Sequence, residues 1–159
     1  MDIGTRDIGT IEPELRVAAF AELTASTLYA LLRLRSAVFV VEQECPYLDL
    51  DGRDTEPGAR HLWFSDADGV LAYLRILDEG EARRIGRVVT DPRARGAGLA
   101  GRLLQAALAV IGERPAVLEA QAHLTSFYGR YGFQQTGPQY FEDGIPHIPM
   151  LRAATQPAR

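Results

Sequence analysis

One glycine-rich stretch, residues 93–101, limits what this chain can fold into more than any other part of it. It lies between a strand-like apolar run, 85–90, and a helix-like run, 99–111. Glycines let backbone N–H groups approach a ligand without an intervening Cβ, and the first turn of a helix adds unpaired donors with partial positive charge. The stretch therefore predicts a strand, loop and helix unit whose loop binds a phosphate group.

Two known kinds of phosphate loop can be compared with this stretch. Gly96-x-Gly98-x-x-Gly101 matches the dinucleotide fingerprint, and Glu119 lies near the distance at which an acidic residue would meet a ribose. In that fold, however, the first glycine ends the strand, whereas residues 91–95 intervene here, and too little chain follows for a second mononucleotide-binding half. The nucleoside triphosphate loop needs a Gly-Lys-Ser/Thr ending. All 17 basic residues of this chain are arginines, which excludes that loop and any lysine Schiff base.

Length and composition indicate one domain. The chain has 159 residues, of which 47% are hydrophobic and 24% charged, enough for a single core. The net charge is −4 and the arginines are spread along the chain, so no nucleic-acid partner is expected. The longest apolar run, 106–111, is far too short to span a membrane. We therefore expect a cytoplasmic protein without a membrane partner.

Apolar periodicity and turn residues predict the order of the secondary structure. We expect an opening strand at 15–20 and a helix capped by Thr24 or Ser26. The further predicted elements, in chain order, are a polar loop (49–60), three antiparallel strands (61–65, 70–77 and 83–90), a helix (99–111), a strand (116–120), a short helix (123–130) and two strands (133–136 and 147–151). A flexible tail at 1–14 and a disordered tail at 153–159 are expected to flank the domain, 15–152.

Three other sites are weighed and disfavoured. The acidic loop at 49–60 resembles a calcium loop only superficially, because its glycine is misplaced and no glutamate follows in register. The three histidines of the chain are too scattered for a recognisable metal site, so no metal is expected. Cys45, the only cysteine, has no basic cluster beside it in the sequence, and we interpret it as a partly buried side chain rather than a nucleophile.

Two motifs in this order resemble the GNAT superfamily of N-acetyltransferases. Arg93-x-x-Gly96-x-Gly98 fits the Gln/Arg-x-x-Gly-x-Gly/Ala signature of that family, which follows a strand and precedes a helix. The segment 127–133, Phe-Tyr-Gly-Arg-Tyr-Gly-Phe, fits the aromatic-Tyr pair followed by Gly-Phe. Residues 35–46 and 143–147 are similar to the ElaA branch. The resemblance covers about 15–152 and implies a single α/β domain: a mixed, mostly antiparallel sheet, split in a V between two parallel strands and flanked by helices.

The resemblance also implies acetyl-CoA as co-substrate. The pantetheine arm is expected along the backbone of Val88, Val89 and Thr90, beside Gln121, which stands where many members carry asparagine. The pyrophosphate is expected at Arg93, Arg95, Gly96, Ala97, Gly98, Leu99 and Ala100. Only the backbone of Leu99 would serve the ligand, since its side chain belongs to the apolar face of the helix. Gly101 is expected to allow close packing of that helix on the sheet.

By the same resemblance, an amine would attack the thioester directly while both substrates are bound. Tyr128 falls where the family places a general acid, and a backbone N–H at Val89 or Thr90 would stabilise the developing oxyanion. Glu119 is our first candidate for the base. The other candidate bases are His61, Glu42 and His123.

The acceptor is expected to be a small-molecule or peptide amine, and family habit suggests a homodimer. A rival interpretation is a module that binds CoA or another nucleotide without turnover. The presence of Tyr128 favours the enzyme over that module.

Overall fold

Eight strands form one mixed sheet in residues 12–155, the part of the chain that this computed structural model describes. The strands are β1 (Glu14–Ala18), β2 (Arg60–Asp66), β3 (Gly69–Asp78), β4 (Arg83–Thr90), β5 (Ala116–Gln121), β6 (Gln134–Gln135), β7 (Tyr140–Glu142) and β8 (Ile145–Arg152). Their order across the sheet is β1-β2-β3-β4-β5-β8-β6, and β7 pairs with β8. Within this range only β4 and β5 pair in parallel, so the sheet is mixed and mostly antiparallel, as expected.

Three α-helices accompany the sheet: α1 (Ala25–Arg35), α2 (Leu99–Ile111) and α3 (Thr125–Gly129). The side-chain oxygen of Thr24 accepts a hydrogen bond of 3.1 Å from the Thr27 N–H, which makes Thr24 the cap of α1. A π-helical segment, Ser36–Glu42, continues α1, and short 3₁₀ turns lie at Phe20–Glu22, Pro92–Ala94 and Ala122–Leu124. Within residues 12–155, no helix combines the length and the hydrophobicity that a membrane span requires.

Helices cover both faces of the sheet. Successive side chains of a strand point to opposite faces, so Leu74 packs into the core beneath α2 and α3, while its neighbour Tyr73 packs beneath α1. Leu99 belongs to the first core and is 4% exposed, which leaves only its backbone for a ligand. The layers therefore place the glycine-rich loop at the end of β4 and the start of α2.

Gly101 packs closely, but against a different partner from the one expected. A Cβ at this position would collide with the hydroxyl of Tyr131, which follows α3. The glycine therefore allows α2 to approach the aromatic segment 127–133, while other residues of α2 pack on the sheet.

The ends of the chain and the last hairpin differ from the expectations. The predicted strand 133–136 is only two residues long, and β7 was not predicted. Residues 1–11 and 156–159 of the predicted tails lie outside the described residues. Within those tails, Glu14 already begins β1, and the Thr155 N–H donates to the Glu113 carbonyl at 3.0 Å.

Candidate functional site

The two parallel strands separate after two paired positions. The register joins Arg83 to Ala116 and Arg84 to Val117, and no further β4 to β5 pair follows in the described residues, although β4 continues to Thr90. Because a strand needs a neighbour to satisfy its N–H and C=O groups, the β5-facing edge of β4 beyond Arg84 is left free. The sheet is thus split in a V, as the resemblance implies.

A bulge in β4 changes the direction of this free edge. Tyr73 pairs with Val89 and Arg75 with Gly86, so two steps along β3 face three along β4. Arg87, inside the bulge, has φ +54°, a left-handed conformation that is unusual for a residue with a side chain. Its guanidinium Nε lies 2.8 Å from Asp49 Oδ1. The ion pair links the strained position to the loop after α1.

A cavity of about 340 Å³ opens at the split. Four of the predicted site residues line it: Val88 from β4, Glu119 and Gln121 from β5, and Tyr128 from α3. The turn between β7 and β8 closes another side. The remaining predicted cofactor residues lie outside this cavity, at the end of β4 and the start of α2.

Tyr128 is held rigidly while its hydroxyl stays free. The side chain is 6% exposed, and its ring packs edge-to-face against Phe127 and Phe133, with centroid distances of 5.1 and 6.1 Å. Its hydroxyl forms no hydrogen bond with any described residue. Burial raises the pKa of this phenol to about 12, so it carries its proton at neutral pH. A buried tyrosine usually has a hydrogen-bond partner, and here the cavity offers the place for one.

Glu119 lines the cavity with both carboxylate oxygens engaged. Oε1 accepts from Arg84 at 3.2 Å, and Oε2 accepts from the hydroxyl of Tyr140 at 2.9 Å. Burial, together with the hydrogen bond to Glu119, raises the pKa of Tyr140 above its ordinary value. Glu119 therefore joins β4, β5 and β7 at the rim of the cavity.

The other candidate bases do not face the cavity. His61 is 1% exposed, and its ring nitrogens lie 2.7 Å from the Tyr73 hydroxyl and 3.0 Å from the Asp54 carbonyl. Burial lowers the pKa of His61, so the ring is neutral and fixed in the core. Glu42 pairs with Arg95, whose hydrogen bond lowers the pKa of that carboxyl. His123 is exposed and lies outside the cavity lining.

The glycine-rich loop has the geometry of an anion site. Gly96 and Gly98 have φ +85° and +76°, and a Cβ at either would meet open space. Among the described residues, no acceptor is bound by the backbone N–H groups of residues 95–101, a run that ends in the first turn of α2. Consecutive free N–H groups at a helix start are what a pyrophosphate requires.

Two arginines flank the loop and are paired with carboxylates on the surface. Arg93 binds both oxygens of Asp66 at 3.2 Å, and Arg95 binds both oxygens of Glu42, one of them at 2.6 Å. The arginine side chains are 39% and 44% exposed. Both guanidinium groups are thus close to the loop and accessible to solvent.

Sequence reasoning missed a buried cluster of charges beneath the loop at 49–60. Arg35 binds Asp49 at 3.1 Å and Asp54 at 2.7 Å, and Arg75 binds Asp51 at 2.8 Å and Asp54 at 3.1 Å. Burial alone would raise the pKa values of Asp51 and Asp54, but hydrogen bonds from the arginines outweigh it and hold both below their usual range. The available signal was Arg75, a charge within the apolar run of β3.

Cys45 is buried more completely than expected. It is 4% exposed, and its Sγ lies 3.7 Å from the Asp143 carbonyl. Burial raises the pKa of the Cys45 thiol, so it stays protonated and is not an activated nucleophile. Within residues 12–155, no group of three or more His, Cys, Asp or Glu side chains could hold a metal ion.

Comparisons with known proteins agree with this geometry. The profile of the acetyltransferase (GNAT) domain matches residues 39–153. A UPF0039 protein of Mycobacterium tuberculosis is 51% identical over 136 residues, which cover 82% of this chain and 87% of that protein. Protein ElaA of Escherichia coli is 45% identical over 143 residues, covering 86% of this chain and 94% of ElaA. The crystal structure of an acyl-CoA N-acyltransferase from Pseudomonas aeruginosa is 47% identical, with a TM-score of 0.84, and covers 89% of this chain and 99% of that one.

Proposed function

The chain belongs to the GNAT acetyltransferase family, in its ElaA-like branch, and from that premise we propose that it is an acetyl-CoA-dependent N-acetyltransferase. The acceptor is a primary amine of a small molecule or a peptide. When bound, acetyl-CoA supplies a thioester whose carbonyl carbon the amine attacks directly, so that a C–N bond forms and the CoA thiol leaves. The proposal includes a cytoplasmic location.

One observation carries the proposal: the V-shaped split leads to a cavity into which a tyrosine with a free hydroxyl is packed. Val88 and Glu119 line this cavity from the two sides of the split, and Tyr128 lines it from α3. A CoA-binding module without turnover would have no need for a rigid phenol without a hydrogen-bond partner. This arrangement supports an enzyme.

The glycine-rich loop fits the pyrophosphate of CoA. The free N–H groups of 95–100 and the open space at Gly96 and Gly98 would receive the phosphate oxygens. Arg93 and Arg95 are close enough to exchange their carboxylate partners for phosphate, because bidentate guanidinium binding suits both anions.

The free edge of β4 fits the pantetheine arm. Val88, Val89 and Thr90 lie beyond the last pair with β5, so their backbone groups on that side can bind amides as an added strand would. The side chain of Gln121 lines the facing wall and offers one further amide. The Thr90 carbonyl already accepts from Arg95 Nε at 3.2 Å, which connects this edge to the phosphate loop.

Two groups of this chain act on the reaction in the proposal. The N–H of Val89 or Thr90 stabilises the negative charge that develops on the carbonyl oxygen. Tyr128 gives its proton to the departing sulfur, and burial, which raises the pKa of the phenol to about 12, keeps it protonated before the reaction. Glu119 was the first candidate for the base. Both of its carboxylate oxygens already accept hydrogen bonds, which weakens its case as the proton acceptor.

The first experiment separates the candidate functions. Calorimetry with acetyl-CoA, CoA and NAD is followed by CoA thiol release with benzylamine, spermidine, amino acid amides and a lysine-containing peptide. We expect acetyl-CoA to bind and at least one amine to release thiol. Binding of CoA without release from any amine would favour the binding module, and binding of NAD alone would overturn the assignment.

The second experiment tests Tyr128. Tyr128→Phe is expected to lower kcat by about 100-fold, a magnitude usual for a lost general acid, with an unchanged dissociation constant for acetyl-CoA. Tyr131→Phe is the matched control, because Tyr131 belongs to the same aromatic segment and does not line the cavity. Equal kcat values for the two variants would show that Tyr128 only packs.

A further inference from the structure

His147, which was not among the candidate bases, lines the same cavity from β8. Its Nδ1 lies 2.8 Å from the carbonyl oxygen of Ile145. A carbonyl oxygen can only accept, so Nδ1 carries the hydrogen of the neutral ring and Nε2 carries the lone pair. The hydrogen bond therefore leaves a proton-accepting nitrogen on the ring.

Neighbouring strands hold the ring in one orientation. His147 stacks on Tyr140, with centroids 5.9 Å apart and planes 25° apart, and it lies opposite Gln121 in the β5 to β8 register. Tyr140 is fixed in turn by its hydrogen bond to Glu119. Nε2 forms no hydrogen bond with a described residue, so the lone pair is available to a ligand in the cavity.

We propose that His147 is the general base, whose Nε2 takes the proton that the acceptor ammonium must lose before it attacks. The inference rests on the proposed function. One proton passes from the ammonium nitrogen to Nε2 and leaves an uncharged amine. As the C–N bond forms and the C–S bond breaks, Tyr128 gives its proton to sulfur and the nitrogen releases its second proton to solvent. Solvent then restores the proton of Tyr128, and Nε2 of His147 releases the first proton to solvent, so the protons balance.

The charges around His147 favour an ammonium in this part of the cavity. Glu142 and Asp143, in the turn between β7 and β8, line it and form no ion pair with a described residue. Arg84 and Arg87 also line it, but each is paired, with Glu119 and with Asp49 respectively. Tyr140 stacks on the ring. The cavity lining also includes Asp51, Arg53 and Arg75, which are ion-paired, and Cys45, Tyr47 and Tyr128, which stay protonated.

Glu119 takes a different role in this arrangement. Both of its oxygens already accept hydrogen bonds, and one of these fixes Tyr140 against the imidazole. Glu119 is therefore a positioning residue that acts through Tyr140. An amide at this position could still accept from the Tyr140 hydroxyl but would lose the pair with Arg84, so Glu119→Gln is expected to lower the rate and to keep the acid limb of the pH profile.

The first test compares histidine variants with the amine that the wild type acetylates fastest in the panel above. His147→Asn keeps an N–H that can reach the Ile145 carbonyl but lacks Nε2. We expect kcat/KM for the amine to fall about 100-fold at neutral pH. Protonation of the base slows the wild-type reaction at acid pH, and this decrease should be absent from the variant. Affinity for acetyl-CoA is expected to stay the same. The control His123→Asn, on the exposed histidine outside the cavity, should match the wild type.

A contrary result would reassign the base without touching the proposed function. If His147→Asn keeps the wild-type pH profile while Glu119→Gln loses the acid limb, Glu119 is the base and the His147 proposal is overturned. Wild-type protein that releases no thiol with any amine contradicts the proposed function instead, so the two failures are distinguishable.

A second test needs no acceptor. Long-range ¹H–¹⁵N NMR of the wild-type protein, assigned with His147→Asn, reports which ring nitrogen bears hydrogen. We expect the neutral ring to be protonated at Nδ1 and to lose that pattern as Nε2 takes a proton at acid pH. A neutral ring protonated at Nε2 would overturn the proposal.

Discussion

The chain uses the same pair of groups, a guanidinium and a carboxylate, in two regions with opposite properties. In the cluster beneath the loop at 49–60, Arg35 is 1% exposed and its partners Asp49 and Asp54 are nearly as buried. Beside the glycine-rich loop, Arg93 and Arg95 are 39% and 44% exposed. The chemistry is identical and only the access of water differs.

That difference decides what each pair can do. Removing one partner of a buried pair leaves an uncompensated charge where water cannot reach it, so these pairs do not exchange partners. An exposed pair contributes little to stability because water and salt compete with it. Its guanidinium can leave one anion for another at small cost, which is what a phosphate-binding arginine needs.

Removing one arginine from each region should give the largest difference in stability. Arg35→Met is expected to lower the free energy of unfolding by about 3–5 kcal/mol, because Asp49 and Asp54 lose their shared cation. Arg93→Met should change it by less than about 1 kcal/mol. Urea unfolding measures both, and equal losses would contradict the distinction.

The affinity for CoA, in contrast, should depend on the exposed arginines. The double variant Arg93→Ala, Arg95→Ala is expected to weaken CoA binding about tenfold, since the charged hydrogen bonds to the phosphates are lost from exposed positions. Calorimetry with pantetheine, which has no phosphate, is the control and should show no change. An unchanged CoA affinity would remove both arginines from the proposed site.

Acid pH should lower the stability of the buried region, and added salt should not suppress that loss. Burial lowers the folded-state pKa of His61, so the unfolded chain binds that proton more readily. The stability that depends on neutral His61 is complete above the unfolded value of about 6.5 and is lost as pH falls below it. The lowered pKa values of Asp51 and Asp54 act in the same direction at still lower pH.

Unfolding free energies measured from pH 7.5 to 5 in 0.05 and 0.5 M NaCl check this expectation. We expect the loss of stability on acidification in both solutions, and His61→Gln should flatten it. A loss that vanishes in high salt would assign the effect to the exposed pairs.

The smallest expected effect concerns the exposed pair of Glu42 and Arg95. Glu42→Gln frees Arg95 from its carboxylate partner, so CoA affinity should rise by about two- to threefold at low salt. The same titration in 0.5 M NaCl should abolish the gain. A weaker affinity in the variant would mean that Glu42 orients Arg95 rather than competing with the ligand.

Local patterns in the sequence predicted most of the scaffold, and distance along the chain explains what they missed. The meander of β2, β3 and β4, the glycine-rich loop and α2 depend on neighbouring residues, and all were confirmed. The buried cluster joins Arg35 to Asp54 and Arg75 to Asp51, residues far apart in the chain. No local pattern indicates which partners folding will bring together.

The same limit applies to the candidate site. Tyr128 and the loop at 93–101 could be found because each belongs to a short motif. His147 could not, because its role depends on a hydrogen bond to Ile145 and on a ring supplied by β7, a strand of three residues that was not predicted. A histidine becomes a candidate base only when the structure shows which nitrogen is free.

Arginine supplies the cation of every ion pair found in residues 12–155, and this matters for a chain proposed to acetylate amines. Acetylation of a lysine removes its positive charge, whereas a guanidinium is not a substrate for the same reaction. With no lysine among its 159 residues, the chain offers its own chemistry no side-chain amine. Acetyl-CoA therefore cannot remove, by N-acetylation, the side-chain charges that fix the bulge of β4 and flank the glycine-rich loop.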